Sequence, residues 1–258
     1  NDADGIVLTI PTGTTNVAIG YDTGKAITSG YQTTLVGYRA GQALTTQANN
    51  TFIGFDAGLL KTGQHNVAIG NQTFSTSGGA SYTVAVGGGA LYAITGDYNI
   101  GIGVSAMEQH TTGVRNIAIG HYTMDDTDAG STSLGSTDNI FMGYDAGGGT
   151  WADAASNNNI GIGSYALDAA LNGAIYNIAV GVSTLSDLTT GDNNVAIGQG
   201  AMQELTTASG NIAIGRATMN VHKNGSYNIA IGNQRQVILM LLLVIMQVVL
   251  SQLVVLIY

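Results

Sequence analysis

The sequence predicts an all-β chain wound as a parallel β-solenoid, and three observations carry that prediction. A five-residue phrase, Asn-(Val/Ile)-Ala-Ile-Gly, returns about every seventeen residues, a period in the range of one solenoid turn. Between its Asn and its Gly each copy holds only three residues, mostly β-branched, alternating large and small as a short strand does. Composition is uniform along the repeats: 38 Gly, 1 Pro, no Cys and 9% charged residues, without the Gly-X-Y period of collagen and with too little charge for a solvated tail. No single turn of this kind holds a core of its own, so stacked neighbours must supply it.

The copies close at Gly20, Gly37, Gly54, Gly70, Gly87, Gly103, Gly120, Gly143, Gly163, Gly181, Gly198, Gly215 and Gly232. They define thirteen rungs over residues 16–234, after a lead-in at 1–15 and before an apolar tail at 235–258. Residue 1 is Asn and no charged-then-apolar leader follows, so a signal peptide is expected to be either removed or never present.

Four residues before each closing glycine stands Asn16, Asn50, Asn66, Asn99, Asn116, Asn139, Asn159, Asn177, Asn194, Asn211 or Asn228, with Thr33 and Thr83 in the other two copies. Stacking turns these into a structural ladder, because an Asn amide bonds both nearby backbone and the Asn of the next rung. The alternative is a ligand-binding row. The next three slots, as in Val17-Ala18-Ile19 and Ile117-Ala118-Ile119, read as a strand whose branched pair faces the core. On this reading the opposite, alanine face is outward. A small-residue stripe there permits close approach of another layer, which predicts a homo-oligomer. The closing glycine is expected to need positive φ or a tight backbone approach.

Four residues past the glycine comes Phe74, Leu91, Met107, Met124, Leu167, Leu185, Met202 or Met219, expected to plug the core from the other side. The Thr-Thr-Gly that follows in several copies is a turn back to the next Asn.

The phrases NVAIG, NIAIG and YNIAVG, with turn residues between them, resemble the head repeats of YadA-like trimeric autotransporter adhesins and the AIGxxAL…TTGxxN arrays of bacteriophage tail-fibre proteins. The resemblance covers residues 16 to about 233. It implies a left-handed β-roll, a homotrimeric fibre, a location outside the cell, on its surface or on a virion, and a role in attachment to a host receptor or surface glycan. The rungs here are longer than those of the adhesin heads, which favours the fibre relatives.

Spacing fails in one place, a bulge over 121–163. It contains Asp125, Asp126, Asp128, Tyr144 and the only tryptophan, Trp151. Insertions in solenoids become loops on one face, so these five are the receptor-contact candidates. An exposed Trp151 beside carboxylates would stack a sugar ring; the alternative is that it caps a local core. Asp126 and Asp128 have the spacing of half a calcium loop, but the remaining ligands and the distal Glu are missing, so no metal or other cofactor is expected.

Gly101-Ile102-Gly103 and Gly161-Ile162-Gly163 are the ordinary strand phrase and not a dinucleotide loop. His65, His110, His121 and His222 lie on separate rungs, and no nucleophile, base and acid group together. Neither a catalytic group nor an enzyme is expected. A net charge of −9 with scattered Lys and Arg lacks the footprint of nucleic-acid binding. An ice-binding solenoid needs a flat Thr-x-Thr array, and the Thr pairs here sit at irregular turns.

The tail from Val237 to Tyr258 is long and apolar enough to span a bilayer as a helix, so a genuine tail would be a membrane anchor. A second reading is a shifted frame. Met240-Leu241-Leu242-Leu243-Val244 is encodable as ATG TTG CTA TTG GTN. Started one nucleotide earlier, with an A, the same bases give AAT GTT GCT ATT GGT, which is Asn-Val-Ala-Ile-Gly. The expectation is that residues from about Arg235 onward are this repeat read out of frame.

Overall fold

The computed structural model describes residues 15–76, 78–127, 135–151, 153–221 and 223–233. The apolar tail, Asp128, His222 and the lead-in up to residue 14 lie outside them, and with them the frame-shift and anchor expectations.

The described chain is a parallel β-solenoid with one 13-stranded sheet in sequence order and, among the described residues, no α-helix. The strands are β1 (Val17–Ile19), β2 (Thr34–Val36), β3 (Thr51–Ile53), β4 (Val67–Ile69), β5 (Val84–Val86), β6 (Ile100–Ile102), β7 (Ile117–Ile119), β8 (Ile140–Met142), β9 (Ile160–Ile162), β10 (Ile178–Val180), β11 (Val195–Ile197), β12 (Ile212–Ile214) and β13 (Ile229–Ile231). Each pairs in parallel with the next, like residue on like: Val17 lies beside Thr34, and Ala118 beside Phe141. The backbone ladder continues past the strands, with Val17 N donating to Thr33 O at 2.8 Å and Gly37 N to Ile19 O at 2.8 Å.

The closing glycine is fixed by that stacking. Gly198 sits at φ +126°, and a Cβ there would fall 2.6 Å from the carbonyl carbon and oxygen of Gly215 one rung on. Where Thr occupies the third position past this glycine, its hydroxyl caps the same carbonyl row: Thr123 donates to Gly143 O at 2.6 Å and Thr184 to Gly198 O at 2.9 Å.

The Asn side chains form a buried line through the rungs. Asn194 Oδ1 accepts from the backbone N of Asn211 at 3.0 Å and from its Nδ2 at 3.1 Å, while Asn194 Nδ2 donates to Ala208 O at 2.9 Å. The same pattern links Asn116, Asn139, Asn159 and Asn177. At Thr33 and Thr83 the side-chain hydroxyl instead donates within its own turn, to Tyr31 O and Ser81 O, each at 3.2 Å.

The sheet faces the opposite way from the sequence expectation. The middle residue of each strand from β1 to β12 is buried, and the branched residues on either side point outward. The alanine stripe is therefore core, and the reason lies in the width of the coil. Each rung has room for one large side chain between its strand and the residue four past its glycine. Where the strand contributes Leu35, Phe52 or Phe141, the facing position is Gly41, Gly58 or Gly147; where it contributes Ala or Gly, the facing position is Phe74, Leu91, Met107, Met124, Leu167, Leu185, Met202 or Met219. A Cβ on Gly41 would lie 2.8 Å from Leu35 Cδ2. The first rung pairs Ala18 with Gly24, and there Leu35 and Ile27 close the space, 2.8 and 3.0 Å from where a Cβ on Gly24 would stand.

The large residues facing the strands do so from left-handed backbone, as at Leu185 with φ 52°. That conformation costs an L-residue about 1–2 kcal/mol, so burial of the side chain must outweigh it. A third inward column, just ahead of the segment read as a turn, completes the core with Ile27, Leu44, Ile94, Leu171, Leu188 and Leu205. Lys61, His110 and Thr127 occupy the same column and are equally buried.

Candidate interaction surfaces

The bulge is a packed region. Trp151 is 0% exposed, packs edge-on against Phe141 with ring centroids 5.8 Å apart, and donates from Nε1 to Gly147 O at 3.0 Å. It cannot be the exposed platform among the receptor-contact candidates; it fills the core beside Phe141, whose ring also occupies the space over Gly161. Asp126 accepts from Thr150 Oγ1 at 2.5 Å and is half-buried, and its carbonyl accepts from Trp151 N at 3.2 Å. Its role is to pin the loop over the tryptophan.

Tyr144 is 43% exposed. It meets Tyr165 edge-on at 5.4 Å, Tyr122 at 6.3 Å and His121 at 5.9 Å, an aromatic patch across adjacent rungs. Beside it run the carboxylates of Asp125, Asp145 and Asp168. Burial, then the charge of Asp145, pushes Asp125 up to about 6, and burial followed by the charges of Asp145 and Asp125 does the same to Asp168. Asp145 is raised by burial, partly offset by His121. Among the described residues no group of three or more His, Cys, Asp or Glu is arranged to hold a metal ion.

Sequence reasoning missed two other aromatic rows. Tyr21, Tyr38 and Phe55, each directly after a closing glycine, stack with centroids 5.5 and 5.1 Å apart. His65, Tyr82 and Tyr98, each directly before the Asn or Thr, stack at 4.9 and 5.1 Å. The shared offset from the motif was the signal. In both rows the facing rings cover one another, and they serve as struts between rungs. Arg39 lies over the Tyr38 ring at 4.9 Å and forks onto Asp56 with bonds of 2.8 and 2.6 Å.

Lys61 was also missed. Its ammonium lies 4.4 Å from the Phe74 ring centroid and bonds Ile94 O two rungs away. Burial alone pulls it down to about 7. His110 is held between Thr127 Oγ1 at 2.8 Å and Asn116 Nδ2 at 3.1 Å, and burial lowers it to about 4, so at neutral pH it is an uncharged member of the Asn ladder.

A continuous apolar surface runs along the outer face of the sheet. Two columns of Val, Ile, Thr and Met run its whole length, with Ile69, Ile162 and Ile214 each close to two-fifths exposed and Ile231 at 69%. Thirteen strands at about 4.8 Å give a strip about 60 Å long. No helix among the described residues is long and apolar enough to cross a membrane.

Comparison with protein-family models, with curated proteins and with solved structures found no match, so the likeness to adhesin heads and tail fibres rests on the repeated motif itself.

Proposed function

We propose that this chain is a segment of a homotrimeric structural fibre, carried outside the cell, on its surface or on a virion, that mediates attachment and performs no catalysis. The observation that carries the reading is the outward branched face. A continuous apolar strip of this length on a folded chain marks an interaction surface. Its straight, repeated columns fit a second and third copy of the same chain wound alongside. The contact surface is thus the branched face and not the alanine stripe, which is already filled. The turns, with the Tyr144 patch, are left free for a receptor or a surface glycan.

Charge placed on the strip tests this. Ile102→Glu with Ile162→Glu puts two carboxylates per copy at outward positions, where they are solvated in a monomer and desolvated against each other in an assembly. The expected result is a folded chain of unchanged far-ultraviolet circular dichroism and reduced mass in solution. A double variant that keeps the parent's oligomeric mass would refute the assignment of this face.

A further inference from the structure

Apart from the buried Lys61, four of the five cations among the described residues are matched with acids: Lys25 with Asp22, Arg39 with Asp56, Arg115 with Asp138 and Lys223 with Glu204. Arg216 is exposed and, among the described residues, is paired with none. It stands at the edge of a groove of about 450 Å³ that crosses adjacent rungs. Ser183, Gly200 and Ala217 form the floor, each two residues past a closing glycine, with Gln199 and Arg216 along one side and Gln203 on the other.

The groove exists because three successive small residues occupy a position that holds Tyr122, Asp145 and Tyr165 in the rungs before them. The two amides and the hydroxyl each both donate and accept hydrogen bonds, and the single formal charge is a guanidinium fork, which matches a planar carboxylate. In a chain of net charge −9, an arginine without an acid partner among the described residues gives this groove a local positive charge.

We infer that the groove between Gln199, Gln203 and Arg216 binds a carboxylate-bearing sugar, with Arg216 on the carboxylate and the glutamine amides and Ser183 on hydroxyls. It names a ligand for the attachment role proposed above, and its failure leaves the assembly of copies untouched, because assembly is read from mass and this site from binding.

The test is calorimetric titration of the whole chain with a glucuronate-terminated disaccharide, its methyl ester, the matching neutral disaccharide and a triglutamate peptide. The acid sugar is expected to bind, and the ester and the neutral sugar about tenfold more weakly or worse, since each lacks the charge-assisted fork. Arg216→Gln is expected to lose binding by a similar factor. Gly200→Asn, which suits left-handed backbone and fills the floor, is expected to do the same, with mass and circular dichroism of both variants unchanged. Equal affinity for acid and ester, full binding by Arg216→Gln, triglutamate binding as tightly as the sugar, or no acid-sugar binding up to about 10 mM would each overturn the assignment.

Discussion

Exchanging the large and small residues of one rung should restore most of what either change alone removes. In the tenth rung Ala179 sits on the strand and Leu185 faces it, both fully buried; the second rung carries the reverse arrangement, Leu35 facing Gly41. Leu185→Gly opens a cavity worth about 2–5 kcal/mol, offset by about 1–2 kcal/mol as left-handed strain at φ 52° is relieved, a net loss of about 0–4 kcal/mol centred near about 2. Ala179→Leu adds three carbons to a filled space, at about 1–3 kcal/mol. The double variant reproduces the second rung's packing and should lie within about 1 kcal/mol of the parent, a coupling of about 3 kcal/mol. Urea unfolding of the four chains followed by circular dichroism gives the cycle. Additive single effects would refute the idea that strand and facing residue share one space. Tolerance of Ala179→Leu together with strong destabilisation by Ile178→Thr would restore the opposite orientation of the sheet.

Other expectations follow from single buried groups. Asn194→Ala leaves the buried backbone N–H of Asn211 without its acceptor and should cost about 2–4 kcal/mol by urea unfolding, whereas Asn177→Gln, which cannot reach both partners, should fall between. Lys61 is pulled down to about 7 from an unfolded value of 10.5, so between those limits the unfolded chain binds the extra proton and stability rises with pH. The full penalty applies below about pH 7, and Lys61→Met should raise the unfolding midpoint at pH 6 and flatten its rise between pH 7 and 10; an unchanged slope would show that Lys61 escapes to solvent. Trp151→Ala should cost about 3–5 kcal/mol and loosen the bulge in hydrogen exchange, while a loss of receptor binding with stability intact would return Trp151 to the surface.

Much of the fold was legible because the repeat is redundant. Thirteen closing glycines located every strand, and the position of Leu185 or Met202 four residues past them correctly marked a buried plug. Which strand face was inward was not legible from alternation alone, since a period of two is the same read from either side. The answer was present in a comparison between slots: Phe52 with Gly58, and Ala68 with Phe74, never two large residues across those two slots of one rung. The third core column was hidden because Lys61, His110 and Thr127 stand in it beside Ile94 and Leu188, so it does not read as apolar. Trp151 was left between an exposed platform and the cap of a local core because an insertion suggests a loop; its burial depends on Phe141 and Gly147, a contact across the coil that no local pattern states.

Assembly of the proposed fibre depends on the outward branched face finding copies of itself. Multi-angle light scattering of the whole chain measures this directly. The expected mass is three times the 26.3 kDa of one chain, held across a wide range of concentration. A single species at 26.3 kDa at every concentration would contradict it, leaving an apolar strip about 60 Å long with no partner.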